Sequence, residues 1–326
     1  MNPKIWLLYL ILPGRFGAVL SGVLILAVMV LAFIVVTDVR SVFSSGALFF
    51  CAITAYIVPV FSYINRISVQ AVDDLRALLD MPGEEVQRVR RSISHQSLGW
   101  NLLVTGLGLA GGFLHLYLIE SGKGTSIAQE LSSPRELMGD LGALIVWVVM
   151  TVTIFSLTQN AIRIGKLARE LRPINLFRID KLLPFARVAI GSSLAVIGSF
   201  ALYPLLFIDQ DITIWTAVPG LISTAIPMLI MLLLPMWPAH KQIKASKAEQ
   251  LLRCNTQLDE AIHDSVAEQS RLAEINHLLD YRQHLQRVPD WPIDIGAVSR
   301  LILYLIIPPV TWVGAALIEN AVDALL

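Results

Sequence analysis

Four side chains of metal-ligating type fall on one helical face: Glu274, His277, Asp280 and His284 are spaced three, three and four. Carboxylates and imidazoles at that spacing can hold a divalent cation. The Glu-x-x-His pair occurs once, however, and a carboxylate-bridged two-metal site needs matching ligands from other helices. The cluster therefore reads as a solvated polar face, and no metal or other cofactor is expected. The chain has no phosphate-cradling glycine loop, zincin motif or Gly-x-Ser-x-Gly elbow. Nothing joins a nucleophile, a base and an orienting group, so no catalytic residue is assigned and no enzyme is expected.

A second constellation suits the passage of ions. Arg300, Tyr304, Thr311 and Gly314 lie within about 80° of one another on a 3.6-residue wheel, and Pro308-Pro309 falls between them. Each proline lacks an N–H and frees the carbonyl four residues earlier, here those of Tyr304 and Leu305. Such groups must meet another helix, a polar side chain or water, so the segment reads as a kinked helix bordering a wet path or as a static kink. Asp209, Asp211, Glu319 and Asp323 are outer acids that could attract cations to such a path.

The elements that must position these residues follow from composition. Of 326 residues, 55% are apolar and 15% charged, and 25 Lys and Arg cancel 25 Asp and Glu. A soluble domain carries about 25% charged residues, and a nucleic-acid binder shows a basic excess, so neither class fits. An all-α, multi-pass membrane protein does. A membrane helix needs about 20 mostly apolar residues, and seven stretches qualify: Phe16 to Thr37, Phe43 to Asn65, Ser97 to Ile119, Leu141 to Asn160, Val188 to Ile208, Ile212 to Trp237 and Ala297 to Ile318. None has Asp, Glu or Lys in its central part, which disfavours a proton-coupled transporter.

Orientation comes from the basic residues. With the N-terminus cytoplasmic, 22 Lys and Arg lie inside and only Arg40, Lys123 and Arg135 outside. The acids divide 16 inside and nine outside, so the inner face carries +6 and the outer face −6. The C-terminus is then external, and the expected location is the cytoplasmic membrane of a bacterium. Cys51 falls in a span and Cys254 in an inner loop, and both are expected as reduced thiols.

The chain divides into an interfacial segment (1–15), spans one and two (16–65), an inner hairpin (66–96), spans three and four (97–160), a basic inner loop (161–187), spans five and six (188–237), a second inner hairpin (238–296) and span seven (297–326). In the first segment Pro3 to Leu12 is expected to lie at the interface, with Trp6 and Tyr9 at headgroup depth. In the first hairpin Ile67, Ala71, Leu75 and Leu78 share a face, and Asp80-Met81-Pro82-Gly83 makes the turn.

The second hairpin has leucines at seven-residue intervals, Leu251, Leu258, Leu272 and Leu279, a seam that could pair helices within or between subunits. Ser265 interrupts it, and Ser265-Val-Ala-Glu268 has capping-box spacing, which predicts helices near Ala239 to Ile262 and Val266 to Val288. In the basic loop Arg172, Arg178, Lys181 and Arg187 are candidates for lipid headgroups. Gly108 and Gly112, and Gly191 and Ala195, have small-xxx-small spacing for close helix contact.

Seven spans with an inner N-terminus, extended inner helices and a short last span ending outside are similar in layout to insect odorant and gustatory receptor channels. The last span, Leu301-Ile-Leu-Tyr-Leu-Ile-Ile-Pro-Pro-Val310, departs from their signature. The expectation is a homo-oligomeric, channel-like membrane protein with span seven beside an ion path and the inner helices as assembly platform. Its rival is a sensor or scaffold whose inner helices dock a cytoplasmic protein. Membrane lipid is the other expected partner, and no nucleic acid.

Overall fold

A computed structural model describes residues 3–39, 46–123, 133–207, 214–263, 268–293 and 295–323, with the side chains of the last helix described to Thr311. Nine long helices lie among them: α1 (Gly17–Val36), α2 (Ala47–Leu75), α3 (Gly83–Ser94), α4 (Leu98–Lys123), α5 (Pro134–Leu167), α6 (Leu183–Phe200), α7 (Ile214–His263), α8 (Glu268–Arg287) and α9 (Ile295–Asp323). The β-type pairings among the described residues are two isolated bridges, Lys4 with His95 and Leu79 with Leu171.

Five segments are long and apolar enough to cross a membrane: Gly17–Val36, Ala47–Leu78, Leu98–Leu118, Glu136–Glu170 and Leu176–Leu206. Gly296–Thr311 is a shorter apolar helix. The outward flanks of α1 and α4 are apolar, with Val19, Leu20, Val23, Leu31, Leu103, Leu107 and Phe113 exposed. A water-soluble protein does not leave so large an apolar surface bare.

The interior divides into layers. A membrane-level core joins Ile57, Val58, Phe61 and Ile64 of α2 to Val104 of α4, Val149 and Val152 of α5, and Met231 of α7. A second core joins the ends of α2, α5, α6 and α7 to α3 and α8 through Leu75, Ile93, Ile164, Leu167, Phe185, Ile243 and Leu285. The expected face Ile67, Ala71 and Leu75 is buried, and α3 starts after Pro82 as the turn residues require.

Three elements differ from the sequence reading. The sixth span and the first arm of the second hairpin form one 50-residue helix, α7, running unbroken through Pro235 and Pro238. The fifth-span helix stops at Phe200 and tightens into a 3-10 turn, Tyr203–Phe207, because Pro204 cannot donate to the Phe200 carbonyl. The segment before α1 is built into the protein: Ile5 and Leu7 are completely buried, and Trp6 donates from Nε1 to Thr105 Oγ1 at 3.2 Å, while Tyr9 is exposed. Its ends are held by Ile5 N–H to Ser94 O and Gln96 N–H to Pro3 O, both 3.1 Å. Gly14, at φ +112°, makes the reversal into α1, a left-handed backbone that favours glycine.

Pro59 of α2 and Pro238 of α7 are each accommodated by a glycine on a neighbouring helix. Pro59 frees the Ala55 carbonyl, and a Cβ placed on Gly22 of α1 would lie 2.9 Å from that oxygen and 3.1 Å from the Pro59 ring. Pro238 frees the Leu234 carbonyl, and a Cβ on Gly165 of α5 would lie 2.8 Å from that oxygen. The missing side chain lets each neighbour close over the freed group. Replacing Gly165 by Ala is expected to cost about 1–3 kcal/mol through overpacking. Gly106→Ala, where a Cβ meets open space, should gain up to about 1 kcal/mol from helix propensity. Thermal unfolding of the two variants in detergent checks this, and equal effects would refute the assigned role of Gly165.

Candidate functional site

Helix α9 is attached to the bundle along one flank. Buried Leu301 and half-buried Leu305 pack against Ile197 of α6 and Met228 and Leu232 of α7, and Pro308 is buried beside them. The adjoining flank carries Arg300, Tyr304 and Thr311, all exposed, next to the apolar Ile302, Leu303, Ile306, Ile307 and Val310. Arg300 donates to Gly296 O at 3.0 Å and Thr311 Oγ1 to Pro308 O at 2.8 Å. The helix runs on through Pro308 and Pro309, and no side chain among the described residues donates to the freed carbonyls of Tyr304 and Leu305. The polar stripe therefore turns away from the chain's own bundle. Gly314 is in α9, the side chains of Glu319 and Asp323 lie outside the described ones, and Asp209 and Asp211 are outside the described residues.

The other sequence candidates are distributed widely. Gly108 and Gly112 face α5, where a Cβ would lie 2.8 Å from Val148 Cα and from Leu144 Cδ2 respectively. A Cβ on Gly191 would lie 2.5 Å from Ile67 Cδ1, and the Ala195 carbonyl accepts from the Tyr56 hydroxyl at 3.0 Å. Arg187 pairs with Asp74 at 2.9 Å and Arg172 stands 3.9 Å from Asp80, so both basic residues are tied to the foot of α2. Arg178 and Lys181 are exposed.

Helices α7 and α8 pack as an antiparallel pair within the chain. Cys254 and Ala261 are buried on α7 and Leu285 on α8, and the Cys254 thiol lies 3.4 Å from Leu278 O. Leu251 and Leu258 are half-buried, whereas Leu272 and Leu279 are exposed, so the seven-residue pattern runs partly outside the seam. The link between the helices falls in residues 264–267, so the capping box at Ser265 lies outside the described residues. Glu274, His277 and Asp280 are exposed, and His284 stacks on Phe177 at 4.6 Å. Among the described residues no group of three His, Cys, Asp or Glu could hold a metal.

The pair is closed by Lys247 of α7. Its ammonium donates to Gln286 O at 3.2 Å, to Val288 O at 2.8 Å and to Asp290 Oδ1 at 3.0 Å. A cation there complements the carboxyl end of α8. His240 adds a contact to Asp290 O at 2.8 Å and stacks on Trp291 at 4.1 Å. The chain leading to α9 is thus fastened to α7.

Two features escaped the sequence reading. Buried amides and hydroxyls knot α2, α3 and α5 together: Asn65 donates to Ser94 Oγ at 3.0 Å, Asn160 to Asn65 Oδ1 at 3.4 Å, and Gln96 to Ser156 Oγ at 3.5 Å. Arg163 crosses from α5 to Ser92 O at 2.7 Å and to Asn160 Oδ1 at 3.2 Å. The only signal for it was the presence of single amides at the ends of apolar runs, which specifies no partner. The second is a wide cleft, about 1270 Å³, lined by Arg76, Glu84, Arg88, Arg91 and His95, residues dispersed over a helix end and the next helix.

The described residues form an all-helical protein with five helices long and apolar enough to cross a membrane and a further packed layer of helices at their ends. No protein-family model, no curated protein and no solved structure matches the chain.

Asn65 is the hub of the knot, and Asn65→Ala takes the donor from Ser94 Oγ and the acceptor from the Asn160 amide nitrogen. The expected loss is about 1–3 kcal/mol, with Asn160→Ala adding less on top of it than alone. A double-mutant cycle by chemical unfolding in detergent measures this, and strict additivity would show that the two amides act independently.

Proposed function

We propose that this protein is a homo-oligomeric, channel-like protein of a bacterial cytoplasmic membrane, with its N-terminus inside and α9 bordering a polar path between copies. The carrying observation is the outward polar stripe of α9, with two proline-freed carbonyls that nothing described in the chain covers. In hydrocarbon an unpaired carbonyl costs several kcal/mol, and water in a path between copies supplies the missing donor. Arg300, Tyr304, Thr311 and Gly314 face that path, and Asp209, Asp211, Glu319 and Asp323 draw cations to its outer mouth. The charge asymmetry of the loops supports the orientation. The second core makes a firm platform, and exposed Leu272 and Leu279 on its rim offer apolar contact to a neighbouring copy.

A second reading has its own support: the same layer of packed helices, with Leu272 and Leu279 bare, suits a scaffold that docks a cytoplasmic protein. Leu272→Glu with Leu279→Glu separates the two, since loss of the membrane oligomer favours the platform and an intact oligomer that releases a partner favours the scaffold.

The direct test uses the full chain. Thr311→Cys should form a disulfide-linked dimer in membranes, and the purified protein should conduct ions in planar bilayers, with Thr311→Phe reducing the current at least about tenfold. A monomer that passes no ions overturns the proposal.

A further inference from the structure

A groove of about 580 Å³ runs between α5 and α7, independent of the α9 face. Its walls are Ile162, Ile226, Leu229, Ile230, Leu233 and Leu234, and at one end lies Gly165, where a Cβ would meet the Leu234 carbonyl at 2.8 Å and the Pro238 ring at 3.4 Å. Ile226, Leu229, Ile230 and Leu233 are exposed along it. At the same end stand Lys166, Arg169 and Trp237. Lys166 and Arg169 are exposed, and neither has a carboxylate partner among the described residues. Trp237 is half exposed, and Lys241 sits over its ring at 5.8 Å.

This is the chemistry of one kind of molecule. The apolar wall from Ile226 to Trp237 is about 16 Å long at 1.5 Å per residue, about half of a 30 Å hydrocarbon layer. An acyl chain of one leaflet fits that length. Tryptophan belongs at the boundary between chains and headgroups, and Trp237 marks that level in the groove. Just beyond it, two unneutralised cations face the position of a phosphate, with a third cation stacked on the tryptophan. A soluble apolar ligand would have no use for the cations, and a free anion none for the wall.

We infer that the α5–α7 groove is a binding site for an anionic phospholipid of the leaflet next to the α3 and α8 layer, its chain along Leu229 and Leu233 and its phosphate between Lys166 and Arg169. The inference rests on the membrane character of the fold and not on the channel proposal. Bound lipid would sit over the Gly165 contact and so bear on the angle at which α5 and α7 cross.

The test uses the full chain in nanodiscs of zwitterionic phosphatidylcholine, doped with phosphatidylglycerol brominated near its headgroup. The signal is the tryptophan quenching lost in Trp237→Phe. Half-maximal quenching should need about tenfold less brominated phosphatidylglycerol than brominated phosphatidylcholine. Lys166→Gln with Arg169→Gln should erase that preference, since each basic residue is worth roughly fivefold at an anionic surface. Leu233→Trp, assessed in the Trp237 difference signal, should block the chain and weaken both lipids without touching the cations. Arg178→Gln with Lys181→Gln should leave the preference intact. Equal quenching by the two lipids, displacement of the lipid by millimolar inorganic phosphate, or loss in the Arg178 and Lys181 variant but not in the Lys166 and Arg169 variant would each overturn the inference.

Discussion

A proline in a membrane helix releases a carbonyl where no water can take it up, and the packing of this chain is arranged around that constraint. Gly22 brings α1 against the Ala55 carbonyl freed by Pro59, and Gly165 brings α5 against the Leu234 carbonyl freed by Pro238. These are also places where two helices approach closely. Each glycine gives up side-chain contact and helix propensity, and each gains the approach of a whole helix. At Pro308 and Pro309, by contrast, no glycine or side-chain donor among the described residues reaches the released oxygens. A released carbonyl that its own chain leaves bare is where a function involving other molecules is best sought.

Beneath the spans, the second core changes the character of the chain. Leu75, Ile93, Leu167, Phe185, Ile243 and Leu285 come from six helices, four of which continue upward into the apolar layer or lead directly to it. Helix α7 belongs to both cores, through Met231 in one and Ile243 in the other. The two layers are mechanically a single body along that helix, and the Lys247 contacts attach the start of α9 to the same shaft.

The apolar runs made five of the seven expected spans legible, because hydrocarbon imposes a length and a composition that few other environments do. The first hairpin was legible too, since Ile67, Ala71 and Leu75 repeat with helical period and Pro82-Gly83 punctuates them. What could not be read was anything decided by two distant segments together. The span ending at Trp237 and the helix starting near Ala239 read as two elements until Gly165 is placed beside Pro238. The leucines at 251, 258, 272 and 279 define a seven-residue repeat, but the contact is made largely by Cys254, Ala261 and Leu285, and small residues carry little signal. Arg300, Tyr304 and Thr311 were legible as one stripe, whereas the direction in which it faces depends on Leu301 and Leu305 meeting Ile197 and Met228. The amide knot was silent because Asn65 and Asn160 are 95 positions apart.

The buried segment around Ile5 and Leu7 bears on biogenesis. Its hydrogen-bond partners are Ser94 and Gln96, its indole partner is Thr105, and its apolar neighbours include Val149 and Met231. Synthesis runs from the N-terminus, so Pro3 to Leu7 leave the ribosome long before any of these exist. The segment's hydrogen-bond partners are made only after α1, α2 and α3, and the α7 residues of the same core later still. The segment therefore reaches its final place only after helices that follow it in the chain, and its docking records that the bundle around it has been assembled.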